Sequence, residues 1–115
     1  MDANFPRHGE IWLVLLDPVV GGEIGKTRPA IVVSNDRNNQ FADTVTVIPV
    51  TSKTERIYPF EVFLSHTETQ LAQDSKAKAN QIRTIDKKRL VKLVAQLPPA
   101  LLAAVKQAVR IHLEI

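Results

Sequence analysis

Arg28 lies where a glycine-containing loop meets an apolar strand, so its charged group is held at the end of a rigid strand, beside the loop. The loop contains Gly22 and Gly25, and the strand runs from Arg28 to Ser34. A guanidinium donates two parallel hydrogen bonds and keeps its charge at physiological pH, which suits it to bind a phosphate. The alternative is a structural ion pair with Glu23. Residue types alone leave both interpretations open.

Other polar side chains lie near predicted strand ends and can act with Arg28. Thr51 ends a predicted strand and can hydrogen-bond the same phosphate. Gln81 and Arg83, with Asn80 beside them, can donate to base edges or phosphates, or can instead stabilise the fold or a dimer seam. The candidate substrate-binding residues are Lys26, Ser52, Lys53, Asn80, Gln81 and Arg83.

The residues of several common enzyme sites are missing from the sequence. It has no cysteine, no Gly-x-Ser-x-Gly segment, and no glycine at the spacing that a phosphate loop needs before Gly25-Lys26-Thr27. The three histidines, His8, His66 and His112, fall in separate elements without metal-ligand spacing. We therefore expect neither a metal site nor another cofactor.

Length and composition predict a single globular domain over residues 1–115. Hydrophobic residues make up 44% and charged residues 23%, and no apolar run is long enough to span a membrane. Without a signal segment or cysteines, we expect a cytoplasmic protein. The net charge of +3 favours a polyanionic partner such as nucleic acid. Seven cations between residues 76 and 92 are expected to form a solvated face.

Short apolar runs predict strands, and a single helix ends the chain. An irregular lead-in covers residues 1–8, and residues 35–39 read as a turn. Pro29 predicts the first position of a strand or an edge, and Pro49 predicts a bulge or an edge. The helix is predicted from Pro99 to about His112. Together these elements predict a mainly β fold with a C-terminal helix, arranged as a small barrel or strongly bent sheet. The predicted strands cover residues 10–16, 28–34, 44–51, 60–64, 76–85 and 91–95.

Five segments, in order, resemble the MazF/PemK (Kid-like) toxins of toxin–antitoxin systems. They are RHGEIW at 7–12, EIGKTRPAIVVS at 23–34, VIPVTS at 47–52, YPFEV at 58–62 and NQIRTIDKKRL at 80–90. The resemblance covers almost the whole chain. It implies an SH3-like barrel that forms a homodimer, and a type II toxin neutralised by a small acidic antitoxin.

The resemblance also implies an activity: sequence-specific, metal-independent cleavage of single-stranded RNA, leaving a 2′,3′-cyclic phosphate and a 5′-hydroxyl. The family's catalytic arginine and threonine fall on Arg28 and Thr51. Glu23 is a candidate base for the 2′-hydroxyl, or else it orients Arg28. Ile24 departs from the polar residue often found beside this glutamate, which affects local substrate contacts more than the chemistry.

Two other functions are compatible with the same fold. A gyrase-inhibiting toxin of the CcdB type relies on a tryptophan near the C-terminus, whereas this chain ends in Leu-Glu-Ile and its only tryptophan is Trp12. A non-catalytic RNA-binding module would bind RNA and leave it uncut. Cleavage of RNA distinguishes the nuclease from both.

Overall fold

A computed structural model describes residues 4–115, in which seven antiparallel strands form one bent sheet and a helix ends the chain. The first three residues of the predicted lead-in lie outside this range. The strands are β1 (Glu10–Leu15), β2 (Thr27–Val32), β3 (Thr44–Thr51), β4 (Glu61–Leu64), β5 (Ser75–Lys78), β6 (Arg83–Asp86) and β7 (Leu90–Gln96). The helices are α1 (Asp36–Phe41), α2 (His66–Thr69) and α3 (Pro99–Leu113). The predicted mainly β fold with a C-terminal helix is confirmed.

Strand β3 organises the sheet because it pairs with three other strands. One edge pairs with β2, while the other edge pairs first with β6 over Thr44–Val47 and then with β5 at Val50 and Thr51. The strand order is β4-β5-β3-β2-β1-β7, with β6 also on β3. Pro49 lies next to the point where β3 changes partner, but β3 has partners on both sides, so its predicted edge position is wrong. Pro29 is the third residue of β2, which also has partners on both sides, so its predicted first or edge position is wrong.

The sheet is buried on both faces, which explains its nearly continuous apolar strands. Alternate residues of a strand face opposite sides, so neighbours such as Ile31 and Val32 enter different cores. One core, here the helix-side core, includes Val105 and Ala108 of α3. The other, the second core, lies across the sheet. The second core consists of Val14, Leu16, Ala30, Val32, Val45, Val47 and Ile85.

The predicted strand over residues 76–85 is wrong, because this stretch contains β5, a 3₁₀ turn at Ala79–Gln81, and β6. The two strands pair with different parts of β3, so the chain must turn between them. Ala77 and Ala79 pack in the helix-side core, whereas Gln81 lies in the turn and not on their strand face.

The polar segment after β2 also differs from its predicted turn. It begins α1, and the side chain of Asn35 caps the helix by accepting the Asn38 N–H at 2.8 Å. At the other end of the chain, α3 follows its prediction closely. Pro99 is its first residue, a position where a missing N–H costs no helical hydrogen bond.

Candidate functional site

The strand register places Arg28 and Thr51 on the same face of the sheet. Ala30 on β2 is opposite Pro49 on β3, and extending this antiparallel register by two residues brings Arg28 opposite Thr51. On the other side of β3, Thr51 is paired with Lys76 of β5. Three neighbouring strands therefore present a row of an arginine, a threonine and a lysine.

This row lines a cleft of about 400 Å³ at the end of the second core. Five of its lining residues are cations and two are acids, so it is suited to a polyanion. We call it the cationic cleft. Its cations are Arg28, Lys53, Arg56, Lys76 and Lys78, and its acids are Glu23 and Glu55.

Arg28 is held by the loop that precedes it and not by an acid. Its Nε donates a hydrogen bond to the Gly25 carbonyl at 2.9 Å. Glu23 instead accepts the Val20 N–H at 2.8 Å, and within residues 4–115 it makes no ion pair with Arg28. The alternative structural ion pair is therefore not formed. The terminal guanidinium nitrogens are left without a hydrogen bond inside this range, so they can bind a ligand.

The loop before β2 is fixed in place by Gln81. The Gln81 amide accepts the Ile24 N–H at 3.3 Å and donates to the Gly22 carbonyl at 3.2 Å. Lys26, the residue before β2, has a φ of 68°, a left-handed conformation that is uncommon for a lysine. Such strain persists only where surrounding contacts hold it, and here it lies two residues before Arg28.

Thr51 is only 9% exposed, yet it lines the cleft. Its Oγ1 accepts the Lys53 N–H at 3.3 Å. In the described part of the chain no acceptor takes its hydroxyl proton, so Thr51 can donate to a bound anion.

A second cavity of about 620 Å³ adjoins the cleft and shares Gly22, Glu23 and Gln81 with it. Asn80 and Arg83 line this cavity. The Asn80 Oδ1 is buried and has no hydrogen-bond partner among the described residues. A buried acceptor without a donor is costly. Arg83 donates to the Leu16 carbonyl at 3.1 Å, so part of its guanidinium supports the fold.

Most predicted site residues come together, but two do not. Arg28, Thr51, Glu23, Lys53 and Gln81 line the cleft, and Asn80 and Arg83 line the cavity beside it. Ser52 follows Thr51 by one residue, so it faces the other way and lines a separate cavity with His66 and Asp74. The exposed Lys26 lines neither cavity.

Three charged residues outside the predicted site form an ion-pair network at the cleft. The Glu61 side chain is fully buried; its Oε1 accepts from the Lys76 Nζ at 2.9 Å and the Tyr58 N–H at 3.0 Å. Its Oε2 accepts from the Lys78 Nζ at 2.9 Å. Burial acts to raise the pKa of Glu61, but the Tyr58 N–H and the two ammonium groups outweigh it and hold the pKa below its usual value.

The expectation of a solvated face between residues 76 and 92 is therefore wrong for Lys76, which is buried against Glu61. The signal in the sequence was the spacing of Lys76 and Lys78, which places both on one face of a strand. Their partner lies fifteen residues before Lys76 and seventeen before Lys78, so no local pattern reveals it.

Between residues 4 and 115, no three His, Asp or Glu side chains cluster in a way that could hold a metal ion. The same residues include no helix with the length and apolar character needed to cross a bilayer.

The chain is similar to proteins of known family. Residues 7–113 match the family described as PemK-like, MazF-like toxin of type II toxin–antitoxin system. Endoribonuclease MazF9 from Mycobacterium tuberculosis is 46% identical over 114 residues, which cover 95% of this chain and 97% of that protein.

Solved structures give the same result for the fold. The crystal structure of MazF from Deinococcus radiodurans superposes with a TM-score of 0.85 at 29% identity, and the match covers 97% of this chain and 99% of that one. An endoribonuclease from a mycobacterial species, solved in complex with its cognate antitoxin, superposes with a TM-score of 0.78 at 23% identity. That match covers 96% of each chain.

Proposed function

Because the chain belongs to the family of PemK-like, MazF-like toxins of type II toxin–antitoxin systems, we propose that it is an endoribonuclease that cuts single-stranded RNA in the cationic cleft. The observation that carries this proposal is the row of Arg28 and Thr51 beside Lys76 on three neighbouring strands. A guanidinium and a hydroxyl donor that face one cleft match the demands of a phosphate under attack.

The reaction is a transesterification within the RNA strand. The 2′-oxygen loses its proton and attacks the adjacent phosphorus, the bond to the 5′-oxygen breaks, and the 5′-oxygen takes up a proton from water. The products end in a 2′,3′-cyclic phosphate and a 5′-hydroxyl. Arg28 donates to the oxygens of the pentavalent phosphorus, and Thr51 donates to the same group. Fixed donors aimed at developing charge are often the largest catalytic contribution, so no metal ion is required in this scheme.

Glu23 is the proposed base that takes the proton from the 2′-hydroxyl. Its carboxylate lies on the loop beside the cleft, and its hydrogen bond comes from Val20 and not from Arg28. The Gly25 carbonyl already orients Arg28, which leaves Glu23 available for proton transfer.

Sequence specificity is assigned to the adjoining cavity. Asn80 lines this cavity, and its side-chain amide would hydrogen-bond the edge of an unstacked base. Gln81 and Arg83 line the same cavity, and Lys53 lies on the cleft side. Lys26 and Ser52 lie outside both, so their predicted contacts require RNA that extends beyond the cleft.

The partners proposed for this protein are a second copy of itself and a small acidic antitoxin, and the proposed location is the cytoplasm. An acidic segment would compete with RNA for the cationic cleft. Val91 and Leu93 are about half exposed on β7, which ends the strand order, and an apolar edge of this kind favours a homodimer. Light scattering would then report about twice the chain mass of 12.8 kDa.

The decisive experiment is cleavage of an unstructured RNA in the presence of EDTA. The wild type should cut, and the 5′ ends of its products should share a short sequence. Arg28→Ala should lower kcat by about 10²–10³. Arg37→Ala is the matched control because Arg37 is exposed on α1, away from the cleft, and should cut like the wild type. Intact RNA at excess enzyme, or full activity without Arg28, would disprove the assignment.

A further inference from the structure

The Glu61 network contains one more cation than its carboxylate requires. Lys76 alone can neutralise Glu61: its side chain is 9% exposed, and its Nζ bonds Glu61 at 2.9 Å and the Arg56 carbonyl at 2.7 Å. Adding Lys78 gives the three residues a net charge of +1. The carboxylate is buried behind the two lysines, so the excess charge faces the cleft.

Lys78 is the lysine that can reach a ligand. Its side chain is 22% exposed and lines the cationic cleft. An ammonium has three N–H donors, and among residues 4–115 only one of them is used, in the 2.9 Å bond to Glu61. Two donors therefore remain. Glu61 fixes the direction of the side chain, which reduces the entropy lost when a ligand binds.

The position of Lys78 along its strand indicates what it binds. Lys76 shares a row with Thr51 and Arg28, and Lys78 lies two residues further along β5 on the same face. Two residues of strand span about 7 Å. Arg28 lies two strands away across the sheet, about 10 Å from β5, so Lys78 is too far to share the phosphate at Arg28 but lines the same cleft.

We propose that Lys78 binds the RNA phosphate next to the one held by Arg28, and that Glu61 is the positioning residue that holds Lys78 there. This proposal rests on the proposed endoribonuclease function and adds a second phosphate site to the cleft. A lysine that acts only as a counter-ion would make no such contact. The two roles differ in how RNA binding depends on salt.

The test measures binding of an RNA oligonucleotide with 2′-O-methyl sugars, which cannot be cut, at a series of salt concentrations. Each phosphate contact on a single strand contributes about 0.7 to the slope of log K against log salt. Lys78→Gln should lower the slope by about 0.7 and weaken binding about tenfold. Lys78→Arg should keep the slope. Lys106→Gln is the matched control because Lys106 is exposed on α3 and does not line the cleft, so this variant should bind like the wild type.

A second measurement identifies the phosphate itself. Single phosphates of the oligonucleotide are replaced, one at a time, by neutral methylphosphonates. One position should weaken wild-type binding about tenfold and have no effect on Lys78→Gln, because the contact is already missing in that variant. On cleavable RNA, Lys78→Gln should raise KM and leave kcat nearly unchanged.

The outcomes separate this proposal from the function on which it rests. An unchanged slope and a phosphate scan identical to that of the wild type would show that Lys78 is only a counter-ion of Glu61, although the protein still cuts RNA. A wild type that binds with the expected slope but never cuts would overturn the nuclease and support the phosphate site. A wild type that does not bind RNA at all would overturn both.

Discussion

Replacing Glu61 by glutamine should destabilise the protein more than any other single exchange of an acid for its amide. The carboxylate accepts three hydrogen bonds, two of them from ammonium groups, and its side chain is fully buried. Glutamine keeps the shape but removes the charge. Lys76 is then left buried without a counter-ion. The new amide nitrogen also faces Lys78, and because both groups are donors, no hydrogen bond forms between them.

The size of the effect follows from these contacts. Removing one partner of a buried ion pair costs about 3–5 kcal/mol. The lower end applies here because glutamine still accepts the Tyr58 N–H, and Lys78, at 22% exposure, can turn towards water. The entropy of unfolding of 115 residues corresponds to about 0.24 kcal/mol per degree. A loss of about 3 kcal/mol therefore lowers the melting temperature by about 12 °C.

The assay is thermal unfolding followed by circular dichroism at fixed protein concentration. Glu68→Gln is the control because Glu68 is exposed on α2 and makes no ion pair among residues 4–115. Its melting temperature should change by no more than about 2 °C. A shift below about 3 °C for Glu61→Gln would refute the energetic importance of the network.

The dependence on pH gives a second, independent check. The pKa of Glu61 is lowered in the folded protein, so the network stabilises the fold above the unfolded pKa of about 4.3. This contribution is lost as the pH falls through the lower folded pKa. The gap in stability between wild type and Glu61→Gln should therefore be widest near pH 7 and narrow below about pH 4. A gap that does not change with pH would contradict the assigned charges.

Two further changes test how the loop holds Arg28. Gln81→Leu removes both hydrogen bonds to the loop, and the Ile24 amide should exchange with solvent at least about fivefold faster in the RNA-free protein, as measured by NMR. Gly25→Ala places a methyl group against two side chains of the preceding loop, which shifts the carbonyl that orients Arg28. Its kcat should fall up to about 100-fold, whereas Gly22→Ala, where an added Cβ meets no atom within 4 Å, should cost far less.

The apolar alternation in the sequence predicted the strands but not their register. Ile31 and Val32 are both apolar, and only the assembled sheet shows that they enter different cores. The same register brings Arg28 opposite Thr51. Because α1 lies between β2 and β3, no short turn reveals that pairing from the sequence. Residue types therefore suggested both candidate residues, and the geometry between them required the fold.

The errors around residues 76–85 have one physical origin. A period-two pattern through Ala77, Ala79 and Gln81 is compatible with a single strand, and nothing local marks the 3₁₀ turn. The turn exists because β5 and β6 pair with different parts of β3, and this pairing depends on the tertiary structure and not on the local sequence. Glu61 and Lys76 were missed for the same reason: each alone reads as a surface charge, and only strand pairing joins them.

The shared strand β3 also governs how the molecule can come apart. Its Ile48 and Val50 lie in the helix-side core, and its Val45 and Val47 lie in the second core. Because β3 belongs to both cores, removing it from one core also removes it from the other. Unfolding is therefore expected to be all-or-none, with no stable half-folded form. Thr51 and the residues that pair with β5 and β6 all belong to β3. We therefore expect the candidate site to be lost together with the fold, so that a partly unfolded form has no activity.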